Sequence, residues 1–515
     1  HDVVIIGAGP CGLAVAARLT EATPSALFTD AEHERFWGKR HNSSHRKTLN
    51  KSEDLTRQSP STSRPVSRYS IAVLESHSNQ WMSRWNNRFD ALRISHLRSP
   101  MFFHVDPGDR NGLLAYAYAE RRERELKEVR NVVGKELSKH HRKQRRSAGK
   151  KAAAPKIVPV NERDREDYFR PSQKLFCDHC QDVSRRYKVD NLIQQTEVTS
   201  VSYDHAEDDS GRSLFTIEST TGKFYSRTVI MAIGPGVPQC VPTSYEGDVF
   251  AACHTSYIMD GGELPAHLMK KIKSKAATNV VVIGGGLTSA QVTDLLIKKG
   301  VTKVWHLMRG PTKVRHFDLE LPWVGKYKNN QLSTFWCCDD DDERLKMILE
   351  SRNGGTLTPE HRKILETHCA HGRAKLFNYT EIASKTWDPA TKTWLVKING
   401  ASDSATHPTR QGQIKSTEPP SDEDTLPSID FIIYSTGNVA DIDSMPLLEP
   451  LHRSHPIDTK GGLPCLTNDL MWRDDVPLFL TGRFAGLRLG PFAGNLEGAR
   501  QGAERIAWKV EELLL

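Results

Sequence analysis

The chain has 515 residues, 37% of them hydrophobic, with a mean hydropathy of −0.53 and a formal net charge of +8. That length suits two or three domains, and the lack of any run of about 18 apolar residues excludes a membrane span. The positive excess sits in one place: Lys139 to Lys151 carries seven Lys/Arg and no acid, so a solvated loop is expected there, with no nucleic-acid-binding face.

Residues 2–6 read as a buried parallel strand, and Gly7-Ala8-Gly9-Pro10-Cys11-Gly12 follows it, leading into a helix marked by Leu13, Ala16, Ala17 and Leu19. A short strand, Ala26 to Thr29, is expected to end at Asp30. Residues 31–75 are polar and turn-rich, and 79–118 mix helical and loop signals. The stretch 119–156 reads as a charged helix followed by the basic run, an insertion with a mobile tip. Pro171 to Tyr187 has a helical pattern, and 196–203, 213–218 and 228–232 read as strands. A second strand–turn–helix starts at Asn279 and runs through Gly284-Gly285-Gly286-Leu287-Thr288-Ser289. The strand Val304–Met308 ends at Arg309, Ile429–Tyr434 is an apolar strand, and Leu478–Leu480 leads to Gly482. Pro491 is expected to open a long helix that ends near Leu514.

The first turn fits the G-x-G-x-x-G dinucleotide fingerprint at Gly7, Gly9 and Gly12, with Pro10 opening the helix. Gly7 permits the tight turn, Gly9 lets backbone approach a pyrophosphate, and Gly12 allows close helix–strand packing. The helix N-terminus then presents N–H groups and a positive dipole end to the phosphates. Asp30 stands about twenty residues further on, where an acid takes a ribose hydroxyl. The second turn fits with Gly284, Gly286 and Ser289 as the small residues. The strand after it ends in Arg309, and Arg suits the 2′-phosphate of NADPH where an acid suits NADH. Two such turns with a flavin-type ending at Gly482, Pro491, Asn495 and Leu496 imply FAD at the first turn and NADPH at the second. The fold class expected is α/β with two Rossmann-like dinucleotide-binding domains, an FAD domain (1–245 and 429–515) interrupted by an NADPH domain (246–428). The nine scattered cysteines show no disulfide framework, which predicts a reducing, cytoplasmic setting. Cys177-Asp178-His179-Cys180 reads as helical rather than redox-active, and Cys337-Cys338 with Asp339–Asp342 reads as a solvated acidic loop, so no metal is expected.

These residues together resemble the class B flavin monooxygenases, most closely the lysine/ornithine N-hydroxylating family. The resemblance rests on the glycine turn at 7–12, Leu97 to Pro107, His254-Thr255-Ser256-Tyr257, Gly284 to Ser289, and Ser435-Thr436-Gly437-Asn438. The sequence departs from the family pattern at Leu287, where Gln is usual, and at Asn438, which replaces an aromatic. Arg98 stands where the family has a substrate-gripping Lys, so the resemblance makes Arg98 the substrate contact; the other reading pairs it with Asp106. The resemblance implies flavin-borne chemistry through a C4a-hydroperoxide with no catalytic side chain, acting with O2 on an amine nitrogen of a small, amino-acid-like substrate. A homo-oligomer is compatible with it. The readings left open are a flavin monooxygenase acting on sulfur or carbon, and a flavin-dependent NADPH oxidoreductase.

Overall fold

A computed structural model describes residues 1–28, 68–129, 132, 162–207, 211–234, 251–324, 328–400 and 424–514. Asp30 and the basic run 139–151 lie outside them.

The apolar run Val3–Ile6 (β1) is fully buried and sits in the middle of a six-stranded sheet. Its neighbours are Thr228–Met231 on one side and Ile71–Glu75 (β2) on the other, both parallel. Continuous apolar runs of this kind are what a sheet covered on both faces requires. The remaining strands are Ile193–Gln195, Val476–Leu480 and the antiparallel edge Met471–Arg473. The helix Pro10–Thr20 (α1) leaves β1 through the first glycine turn. The C-terminal helix Leu496–Leu514 lies beside α1 and is tied to it by the fork of Arg18 on Glu504, at 2.6 and 2.9 Å.

A second, all-parallel sheet has the order Ala252–His254, Phe431–Tyr434, Asn279–Ile283, Lys303–Met308, Ala374–Asn378. Each sheet reverses its strand order beside a glycine turn, next to β1 in the first and next to Asn279–Ile283 in the second. Ligands of open α/β sheets bind at that point. The two-sheet α/β fold is as expected.

Four expectations need correction. The strand beside β1 is not Ala26–Thr29, whose described residues form a turn; it is Ile71–Glu75, and the polar stretch 31–75 therefore ends in a core strand. Residues 119–127 are not a charged helix: a 3-10 turn at Glu123–Glu125 leads to Leu126–Lys127, which pairs with Arg170–Pro171. The strand Phe431–Tyr434, expected to follow the second dinucleotide-binding unit, hydrogen-bonds to Asn279–Ile283 and so belongs to the second sheet. The final helix begins at Leu496 rather than Pro491, because residues 491–494 are a turn and Asn495 caps the helix instead.

Among the described residues no helix is long and apolar enough to cross a membrane, and no group of His, Cys, Asp and Glu could hold a metal. Cys177 and Cys180 are free and lie in the helix Gln173–Arg186. Burial pushes both thiols up, the opposite of what a redox pair needs.

His179 on the same helix is buried, and among the described residues neither of its ring nitrogens has a hydrogen-bond partner. Its ring packs at 5.6 Å from that of His104 and 5.5 Å from that of Tyr116. Burial pulls its pKa down to about 4. The unfolded chain therefore takes up the proton first, near pH 6.5, and stability falls as pH drops from 6.5 towards 4, then levels off. Melting temperatures measured across that window should fall less steeply for His179→Phe than for the parent; equal slopes would rule out His179 as a source of the acid sensitivity.

Candidate functional site

The first glycine turn separates structural glycines from an open one. A Cβ on Gly7, which has φ +110°, would lie 2.5 Å from the Ala232 carbonyl oxygen, and one on Gly12 would lie 2.1 Å from the Gly7 oxygen. A Cβ on Gly9, whose φ is an ordinary −82°, would meet nothing within 4 Å among the described residues. Gly9 is the N-cap of α1 and no side chain caps the helix. The first N–H groups of a helix have no intrahelical acceptors, so this turn offers bare donors and a positive dipole end to open space. Cys11 within the turn is partly buried, and desolvation raises its thiol to about 11, so little of it is thiolate at neutral pH.

The acid beside this turn is Glu75, at the C-terminal end of β2. One carboxylate oxygen accepts from the Ala8 N–H at 2.8 Å and the other from the His77 N–H at 3.1 Å. The connection from α1 to β2 runs through residues 21–70, so counting about twenty residues from the glycines reaches Asp30 instead. The signal available in the sequence was the apolar run Ile71-Ala72-Val73-Leu74 ending in an acid.

The second turn repeats the geometry. Gly284 has φ +147°, and a Cβ there would lie 2.3 Å from the Ser435 carbonyl oxygen. Gly286 caps the helix Leu287–Lys298 with no side-chain help. Ser289 is buried, and its hydroxyl donates to the Gly286 carbonyl at 2.7 Å, so it closes the turn from within. Arg309 is exposed at the end of the neighbouring strand. The backbone of Gly355 crosses the turn: a Cβ on it would lie 2.8 Å from the Gly286 nitrogen.

The third part is the turn Gly490–Asn495 ahead of the last helix. Gly482 has φ +71° and lies against Cys11, which brings this segment to the first glycine turn. Pro491 gives its carbonyl to Arg352 Nε at 3.1 Å, and Leu496 is buried. The Asn495 side-chain oxygen accepts from the N–H groups of Glu497 and Gly498 at 3.0 and 3.3 Å. That bond fixes its amide orientation, and the amide nitrogen is left buried with no partner among the described residues. A buried donor of this kind costs about 1–3 kcal/mol unless something accepts from it. With the open face of Gly9, it fits a bound dinucleotide whose far end reaches this turn. At the second sheet the His254 Nδ1 accepts from the Ser256 N–H at 3.2 Å.

Arg98 is not free to grip a substrate. Its guanidinium donates to the carbonyls of Arg315, His316, Phe317 and Thr356 and to the Thr356 hydroxyl, at 2.7–3.4 Å. Burial lowers its pKa to about 10. It does not pair with Asp106 either, whose carboxylate holds Arg186 at 2.6 Å. Arg98 is a clamp between the Leu97–Pro107 segment and residues 315–317 and 356.

A family model described as L-lysine 6-monooxygenase/L-ornithine 5-monooxygenase matches residues 165–437, more than half of the chain. A comparison with curated proteins finds no match. Among solved structures, the chain is similar to L-lysine 6-monooxygenase from Pseudomonas syringae, at 16% identity and a TM-score of 0.57 with 100% of both chains covered. It is similar to the reduced form of ornithine hydroxylase from Pseudomonas aeruginosa, at 13% identity and a TM-score of 0.59 with 100% of both covered. It is also similar to the FAD-bound cadaverine monooxygenase of desferrioxamine biosynthesis from Erwinia amylovora, at 13% identity and a TM-score of 0.60, covering 99% of this chain and 94% of that one. At such identities the likeness is one of fold. The family model carries the assignment: the chain belongs to the L-lysine 6-monooxygenase/L-ornithine 5-monooxygenase family, FAD- and NADPH-dependent monooxygenases of the N-hydroxylating type.

Proposed function

We propose that this chain hydroxylates the amine nitrogen of a small, amino-acid-like substrate, with FAD at the first glycine turn and NADPH at the second. The observation that carries this reading is the pair of strand–glycine–helix turns, each at the switch point of its own parallel sheet, in a chain of the N-hydroxylating family. Bound FAD, reduced by NADPH, would supply the activated oxygen from O2.

The residues' own tasks follow from their positions. The N-terminus of α1 and the open backbone at Gly9 would take the FAD pyrophosphate. Glu75, held at the strand end by two backbone N–H groups, keeps lone pairs for ribose hydroxyls; we assign it the role expected of Asp30. Asn495 would donate through its free amide nitrogen, and the helix behind it would direct a positive end towards the same place. Gly284, Gly286 and the start of Leu287–Lys298 would hold the second pyrophosphate, with Arg309 reading the 2′-phosphate. No side chain need form a covalent bond. The buried Phe492, Leu489 and Trp323 keep water from the turn. We assign the first sheet with the segment following Gly437 to an FAD domain, and the sheet from Ala252 to Tyr434 to an NADPH domain.

Purified protein should convert a primary amine of an amino-acid panel to a hydroxylamine heavier by one oxygen, in step with NADPH consumption. NADPH oxidation without such a product for any member would sink the reading. Gly9→Val should fold with a melting temperature near that of the parent apoprotein, yet carry no FAD, because a Cβ there has no described protein atom within 4 Å and enters the space given to the pyrophosphate. A yellow Gly9→Val protein would refute the first-turn assignment, whereas Gly12→Ala should be destabilised outright. Arg309→Ala should raise the Michaelis constant for NADPH roughly tenfold, in keeping with one lost charged hydrogen bond, and leave that for NADH unchanged; equal effects on both would remove Arg309 from the phosphate site.

A further inference from the structure

Two arginines from distant parts of the chain meet beside the turn Gly490–Asn495. Arg352 ends the helix Asp341–Arg352, and Arg483 follows Gly482. A Cβ built on Gly494 would lie 3.4 Å from Arg352 Nη2 and 3.6 Å from Arg483 Cβ. Arg352 Nε donates to the Pro491 carbonyl at 3.1 Å, while its Nη2 stands 3.8 Å from Asp318, beyond hydrogen-bond reach. Arg483 Nη1 donates to the Asn438 carbonyl at 2.6 Å. Among the described residues, Arg352 Nη1 and Arg483 Nε and Nη2 have no acceptor. Burial, and then the charge of Arg352, lowers the pKa of Arg483.

The place matters as much as the charge. Asn438 lies in the loop that follows Tyr434 and passes Gly284, so Arg483 reaches from the first sheet's segment to the second's. The orphaned Asn495 amide belongs to the same turn. Two neighbouring guanidiniums with one distant carboxylate repel each other, and a planar anion that takes forked N–H donors from both relieves the repulsion.

We propose that Arg352 and Arg483 form an anion clamp for the carboxylate of the amine substrate, the contact that Arg98 does not make. This rests on the reading of the substrate as an amino-acid-like amine. A dinucleotide phosphate shares the recognition chemistry, and the test separates the two sources.

Calorimetric titration of the FAD-loaded protein uses L-lysine, L-ornithine, cadaverine (lysine without its carboxylate) and NADP+ as probes. The parent should bind L-lysine or L-ornithine at least tenfold more tightly than cadaverine. Arg352→Gln and Arg483→Gln should each lose about tenfold for the amino acids, the worth of a charged hydrogen bond, and bind cadaverine and NADP+ as before. Arg352→Lys and Arg483→Lys should fall between; they carry the test if a Gln variant fails to retain FAD. A parent without preference for the carboxylate overturns the clamp, and so do Gln variants that weaken NADP+ and spare the amino acids. Product mass is read separately. A chain that binds L-lysine through both arginines but forms no hydroxylamine keeps the clamp and loses the hydroxylation reading.

Discussion

The space that Gly12 lacks a Cβ to fill is the constraint on which the first half of this molecule depends. The helix α1 must start within one turn of the end of β1, and at that distance a side chain at position 12 would penetrate the Gly7 carbonyl. With glycine there, α1 lies flat on the sheet, its N-terminus points out of the switch point, and its far face is available to the C-terminal helix through Arg18 and Glu504. Gly284 plays the equivalent part against Ser435 in the second sheet. Gly9 and Gly286 are different in kind: the protein leaves them room, and the need for glycine there is set by what approaches from outside.

Charged groups hold the segment 315–356 against the first sheet's side of the molecule. Arg98 binds four carbonyls and a hydroxyl on that segment, so its positive charge is met by dipoles rather than by a carboxylate. Lys328 and Arg500 bracket the buried Glu497. Burial alone would raise that carboxyl, yet the two cations bring it down to about 2. Removing one member of such a buried set typically costs about 3–5 kcal/mol, because the charge left behind has no water to turn to. Phe335, Leu332 and Ile348 of the same segment pack into the core of the first sheet. The segment therefore belongs to the first core by packing although it lies in sequence between strands of the second sheet.

Local chemistry was legible in the sequence, and nonlocal pairing was not. The turns at 7–12 and 284–289 could be read because a buried strand, a glycine turn and an apolar helix face follow one another within about twenty residues. Glu75 escaped because the connection through residues 21–70 breaks the usual spacing, leaving a four-residue apolar run in polar surroundings as its only mark. Ile429–Tyr434 was recognised as a strand, but its pairing with Asn279–Ile283 could not be read, since that partner lies about 150 residues upstream. The charge of Arg98 and its segment were visible, but its acceptors lie 217–258 residues away and are mostly carbonyls, which every residue type carries alike.

The electrostatics of the turn Gly490–Asn495 follow from these pairings. Glu497 stands in the first turn of the last helix, where a lone carboxylate would cancel the positive end of the helix dipole. Lys328 and Arg500 outweigh it, so this buried group of three carries a net positive charge beside the helix start. Arg352 and Arg483 add two more cations across Gly494, with Asp318 too far from Arg352 to hold it by a hydrogen bond. The Asn495 amide presents a further donor with no acceptor. The convergence of these groups makes this turn a place where negative charge is stabilised.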